Sequence, residues 1–200
     1  MAYQNQTNMQ ATKMLRKIFV ASALFAGVAS NTLLAAEADK TKLYDPKSEK
    51  KHIVIPMAML GDSKDTPVGE VVAVQTQYGV AFYPNLKNIQ TGIHGFHIHA
   101  NADCGKTEKG LGMKAGGHWD PESTNAHSFP WSDNGHKGDL PAVYADANGE
   151  VKTPVLAPKI KTLDEIKNHS LMVHVGGDNY HDHPAALGGG GARFACGVVK

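Results

Sequence analysis

The sequence predicts an all-β protein, an eight-stranded antiparallel sandwich or barrel with long loops, and three observations predict it. Short apolar or alternating runs recur between residues 52 and 199, set apart by turn-forming residues, as in folds built from many short strands. A single segment, 162–168, reads as a helix, and it is short. About 160 residues follow an N-terminal leader, one domain's worth and enough for a single core.

Taken in order, the expected strands are 52–60, 68–77, 79–83, 93–100, 140–145, 151–157, 170–175 and 194–199. Between 100 and 140 the chain is rich in Gly, Asp, Asn and Pro and reads as a long loop. The helix candidate carries Asp164 and Glu165 in its first turn, where carboxylates suit the positive end of a helix.

The N-terminus reads as a secretory signal. Lys13, Arg16 and Lys17 precede an apolar run over 18–28, followed by small residues at Ala29, Ser30, Ala35, Ala36 and Ala38. The run is too short to span a membrane. The expected division is a signal peptide and short leader over 1–38, cleaved near 30–38, with Met14 as an alternative start, and one domain over 39–200. No cysteine follows the apolar run to take a lipid, so the expectation is export to the periplasm with no membrane anchor. A net charge of +1 gives no sign of a nucleic-acid partner.

Histidines carry the chemical signal. His97 and His99 lie two apart in an expected strand, so both rings share one face. His118, His127, His136 and Asp139 fall in the long loop, and His174 ends a later strand. One loop histidine is usually a solvated side chain. A set of this size points instead to metal, since neutral imidazole suits copper and zinc. Three imidazoles and one carboxylate with no water position make a closed tetrahedral set, typical of structural zinc. His52, His94 and His169 lack this context and are assigned to no metal.

The motifs Gly95-Phe96-His97-Ile98-His99, Gly116-Gly117-His118, His136-Lys137-Gly138-Asp139-Leu140, and Gly188 to Gly191 leading into Ala192-Arg193-Phe194-Ala195-Cys196-Gly197-Val198 together resemble a copper/zinc superoxide dismutase of the bacterial exported type, over roughly residues 51–200. The resemblance implies Greek-key connections and one copper and one zinc per chain. Copper is then held by His97, His99, His118 and His174, and zinc by His118, His127, His136 and Asp139, with His118 bridging the two. Superoxide is oxidised to O2 in one half-cycle and reduced to hydrogen peroxide in the next. That needs a metal with two oxidation states, and zinc has one, so copper alternates between Cu(II) and Cu(I) while zinc is structural. By the same resemblance His118 and Arg193 are catalytic: His118 takes up a proton when copper is reduced, and Arg193 holds the incoming anion through its fixed fork of donors. Asp178 links His97 to His127, as an outer partner of metal-bound histidines does, although Asp178-Asn179 after two glycines also suits a plain turn.

Cys104 and Cys196 are the only cysteines, and in an exported chain such a pair is first read as a disulfide. A near-neutral protein can still steer an anion if cations surround a low-dielectric cleft. Lys106, Lys109 and Lys114, with Lys137 behind them, are candidates for that role, or else belong to a solvated loop. His181-Asp182-His183 reads either as a copper-capture patch or as solvated side chains. Trp131 reads as a homodimer contact or as an aromatic anchor for the long loop. Two other functions compete: a periplasmic copper-binding or buffering module on the same fold, and a purely structural zinc domain.

Overall fold

Nine strands, all paired antiparallel, and four short 3-10 turns make up the regular structure of the computed structural model, which describes residues 44–200. The predicted signal peptide lies outside the described residues. The strands are β1 (His52–Met59), β2 (Thr66–Thr76), β3 (Gly79–Leu86), β4 (Gly92–His94), β5 (Phe96–His99), β6 (Val143–Ala145), β7 (Val155–Ala157), β8 (Ser170–His174) and β9 (Arg193–Val198). Seven of them form one sheet in the order β5-β8-β9-β1-β2-β3-β7, and β4 pairs with β6. The stretch β9-β1-β2-β3 is a Greek key, because three hairpin-linked strands are joined by a fourth that returns over a long connection to lie beside the first. No helix among the described residues is long and apolar enough to cross a membrane.

The core forms where inward-facing residues of the curled sheet meet. Ile55, Val71, Phe82, Phe96, Ile98, Leu140, Ile166 and Leu171 are all buried there. Phe82 and Phe96 meet edge to face at 5.9 Å, an arrangement favoured by the ring quadrupoles.

The ninth strand corrects the expected count of eight. The run 93–100 breaks at Gly95, whose N–H donates to Gly176 O and whose carbonyl accepts from His174 N–H. His94 therefore pairs with Val143 of β6, whereas Phe96 pairs with Val173 of β8. Expected strand 151–157 contracts to β7, with Val151 left in an isolated bridge to Leu86 and Pro154 between them unable to donate to a ladder. The helix candidate is a single 3-10 turn, Leu163–Ile166, closed by a capping box between Thr162 and Glu165.

This frame holds one histidine-bearing face rigid. Phe96 and Ile98 of β5 enter the core, and His97 and His99 alternate to the other side. The long loop returns to that side: Ile98 N–H donates to Gly138 O at 2.9 Å and Trp119 N–H donates to Ile98 O at 2.8 Å. The backbones come so close that a Cβ on Gly138 would sit 2.3 Å from Ile98 O. The Cys104–Cys196 disulfide ties the start of the same loop to β9 across 92 residues. On the chain-entropy model a closure of that length is worth about 4 to 5 kcal/mol. Around it Leu60, Ala115, Met172 and Cys196 form a second small core.

Candidate metal centre

Two groups of four side chains meet at His118. His97, His99, His118 and His174 bring one ligand atom each to within 4.8 Å of one another, and His118, His127, His136 and Asp139 do the same. All seven residues are buried. In the second group His118 Nδ1 lies 2.9 Å, His127 Nδ1 2.9 Å and His136 Nδ1 3.2 Å from Asp139 Oδ1. Asp139 Oδ2 is held by Ser128 N–H at 3.1 Å.

For His97, His99, His127 and His174 one ring nitrogen has a partner that fixes the tautomer. His97 Nε2 donates to Asp178 Oδ2 at 2.7 Å and His127 Nε2 to Asp178 Oδ1 at 2.8 Å. His99 Nδ1 donates to Gly116 O at 2.9 Å and His174 Nδ1 to Gly191 O at 3.1 Å. With their protons placed there, His99 Nε2 and His174 Nε2 face each other at 3.2 Å as two lone pairs, an arrangement a cation relieves. His97 Nδ1, His118 Nε2 and His127 Nδ1 are buried with no hydrogen-bond partner. His127 Nδ1 is within ion-pair distance of Asp139 but lacks hydrogen-bond geometry, so it stays an orphan. Buried nitrogens that converge without partners are what a metal site leaves when only the protein is present. The donor set fits: imidazoles alone on one side suit copper, and three imidazoles with a carboxylate suit zinc.

Burial sets the titration of the first group. It pushes His97 and His99 well below the usual imidazole range, reinforced by His118, and pushes His174 down to about 4. It also lowers His118, with Asp139 pulling the other way. These rings are therefore neutral, as metal ligands must be. Burial alone would lower His127 as well, but Asp139 and Asp178 outweigh it and raise it to about 9. Burial would raise Asp139, yet the three imidazoles around it hold the carboxyl far below its usual range.

A cavity of about 340 Å³ opens onto the first group, lined by His99, His118 and His174 and walled by Arg193, Lys109 and Leu187. The Arg193 guanidinium is half-buried and donates to Gly112 O and Gly116 O, which anchors it to the long loop. Of the lysines singled out from sequence, Lys109 alone lines this cavity. Lys106 donates to Asp62 O. Lys137 pairs with Glu165 at 2.6 Å and sits 5.3 Å from the Trp119 ring centroid, so its charge is engaged away from the cavity.

The histidines left without a metal have protein partners: His52 contacts Glu49 O, His94 contacts His174 O and Gln90 O, and His169 contacts Ala100 O. Trp131 is 66% exposed and is the outer leaf of a stack with Phe129, which stacks in turn on Tyr180. Sequence reasoning named Asp182 only within His181-Asp182-His183 and missed what its carboxylate holds. Its carboxylate accepts the N–H of His127 at 2.8 Å and of Leu187 at 3.0 Å, joining a metal-group backbone to the cavity wall. Both partners are main-chain groups distant in sequence or outside any motif, so residue type gave no signal.

Fold and site together define a Greek-key barrel protein with a binuclear metal centre. Residues 68–199 match the family model for copper/zinc superoxide dismutase (SODC). The chain is 46% identical over 191 residues to the superoxide dismutase [Cu-Zn] of Actinobacillus pleuropneumoniae, covering 93% of this chain and 99% of that one. The structure resembles the Cu/Zn superoxide dismutase from Brucella abortus at TM-score 0.72 and 45% identity, over 75% of this chain and 100% of that one. It also resembles the monomeric copper, zinc superoxide dismutase from Salmonella enterica at TM-score 0.66 and 43% identity, over 74% and 99%. The chain belongs to the copper/zinc superoxide dismutase family, which makes it an oxidoreductase with copper and zinc as its metals and superoxide as its substrate.

Proposed function

We propose that His97 Nδ1, His99 Nε2, His118 Nε2 and His174 Nε2 hold copper, and that the Nδ1 atoms of His118, His127 and His136 hold zinc with Asp139 Oδ1. One observation carries the assignment: His118 presents one buried ring nitrogen to each group. When bound, copper supplies electron transfer through Cu(II) and Cu(I), and zinc, with one oxidation state, supplies a fixed charge.

The remaining work belongs to the chain. Arg193 and Lys109 put positive charge on the cavity wall and favour entry of a small anion. Carbonyls of Gly112 and Gly116 fix the guanidinium, so its remaining donors keep a constant direction for superoxide. His118 lines the cavity and its buried Nε2 has no protein partner, so a proton held there has peroxide leaving through the cavity as its acceptor. Asp178 keeps His97 and His127 in their ligating tautomers.

Export to the periplasm is the cellular half of this reading. The leader over 1–38 supports it, and so does the Cys104–Cys196 disulfide, which persists in oxidising compartments. A homodimer is supported by the exposed aromatics Trp131 and Phe129 and the exposed cross-strand pair Ile93 and Tyr144. Metal analysis of the purified mature protein, combined with a superoxide-consumption assay, tests the assignment. About one copper and one zinc per chain with fast dismutation is expected; copper uptake without superoxide consumption would instead favour a copper-buffering module.

A further inference from the structure

Outside the buried centre the chain carries one more pair of adjacent imidazoles. His181 and His183 are exposed, and their ring centroids stand 5.5 Å apart. That spacing is within the range found among the rings of the buried centre, where His97–His118 stand at 4.0 Å, His118–His136 and His118–His127 at 5.3 Å, His99–His174 at 5.4 Å and His97–His99 at 6.4 Å. The other histidines outside the centre, His52, His94 and His169, are isolated from one another and each is bonded to a backbone carbonyl.

The loop beneath the pair is fixed. Asn179 clamps both residues, its Oδ1 accepting the His181 N–H at 3.0 Å and its Nδ2 donating to His183 O at 3.0 Å. Gly188 N–H donates to His181 O at 3.0 Å. Asp182, between them in sequence, is held by the N–H groups of His127 and Leu187, so its carboxylate keeps a fixed place on this loop. Backbone positions anchored at this many points make two-point binding cheaper in entropy than it is for histidines on a free loop. His183 N–H donates to His181 Nδ1 at 3.1 Å. Coordination through either nitrogen of His181 gives up that one exposed hydrogen bond, a modest loss that makes the site weaker than the buried ones.

We infer that His181 and His183 form a third metal site, a surface two-imidazole chelate for a divalent transition cation, with Cu(II) the strongest occupant by the general order of divalent affinities. Water fills the remaining positions, and Asp182 offsets part of the cation's charge. The site stands on the loop that also supplies Leu187 to the cavity wall, and it is independent of which metal each buried group holds.

The experiment uses the protein with both buried sites filled, titrated with Cu(II) at neutral pH. Bound metal is counted by equilibrium dialysis, and the added copper is located by the broadening of histidine ring resonances. The wild-type chain is expected to take up one further, weaker equivalent, with His181 and His183 broadened first. His181→Ala and His183→Ala should each lose that equivalent while consuming superoxide as the parent does, and His52→Ala should retain it. No further uptake by the wild type overturns the site, as does equal uptake by the double variant or full retention by either single variant.

Discussion

Asp178 is one carboxylate with two obligations, and replacing it measures how far the two halves of the centre depend on each other. Oδ2 accepts from His97 Nε2 at 2.7 Å and Oδ1 from His127 Nε2 at 2.8 Å, all three side chains being fully buried. Hydrogen bonds to a charged group contribute about 1.5 to 3 kcal/mol each, so Asp178→Ala removes about 3 to 6 kcal/mol of orienting interaction and strands two buried N–H groups. Water entering the vacated space returns part of this, and loss of an outer partner typically weakens metal binding by about 10 to 100-fold. We expect a fall in that range at the copper and zinc groups alike. Asp178→Asn should split them. Its single carbonyl can serve one ring, while its amide N–H meets the N–H of the other, and that ring cannot change tautomer without losing the nitrogen that faces the metal. Chelator competition reads each affinity, and circular dichroism confirms the fold. Both affinities within about twofold of the parent in a folded Asp178→Ala variant would refute the linking role.

Four further outcomes follow from the geometry. Arg193→Glu should cut the second-order rate strongly with metal contents near normal, and Arg193→Lys should do less harm because it keeps the charge and loses the fork; part of the loss should track ionic strength, and an unchanged rate at low salt contradicts the role. His118→Ala should disturb both metal groups and change the visible spectrum of the Cu(II) form, so an unaltered spectrum with full activity removes the bridge. Gly188→Ala should weaken zinc binding, because Gly188 has φ of +72° and a Cβ there would lie 2.1 Å from Asp178 Oδ1 and 2.7 Å from His127 Nε2; parental zinc affinity would be inconsistent with that packing. In the metal-free protein, thermal stability should fall as pH drops from about 6.5, the unfolded imidazole value, toward about 4, the folded value of His174. His97, His99, His118 and His174 are depressed, so the folded state prefers them neutral and loses stability as they charge. His127, raised to about 9, contributes fully below about 6.5 and cannot cancel that fall. A flat melting profile over the window would show that burial does not control these rings.

Why some of this was readable from residues alone and some was not follows from the range over which each feature is specified. Two-residue alternation in Phe96-His97-Ile98-His99 is local, and it placed two rings on one face without any knowledge of partners; the structure puts the intervening Phe96 and Ile98 in the core. The break at Gly95 is not local. Residues 93–94 and 96–99 each read as strand, and only their pairing, to β6 for one and β8 for the other, separates them. Lys137 illustrates the same limit for charge. From sequence it is a candidate behind Lys106, Lys109 and Lys114 for steering an anion, whereas Glu165, on a turn 28 residues later, takes its ammonium.

Asp182 shows the limit most clearly, because its contacts are with main chain. A carboxylate that binds a side chain leaves a complementary residue type to be found, as Asp178 does with two histidines. A carboxylate that binds N–H groups leaves none, since every residue but proline offers one. The sheet therefore announces its proposed ligands, His97, His99 and His174, through strand period and motif, while the loops that complete the centre are held by contacts invisible in composition: Arg193 on the carbonyls of Gly112 and Gly116, Asp182 on the N–H of His127 and Leu187, and Ile98 on Gly138. A substitution at Asp182 would then act on the centre through the backbone of His127 and Leu187 and through the charge it sets near His127 and His136, without removing any ligand candidate or cavity-lining side chain that the motifs reveal.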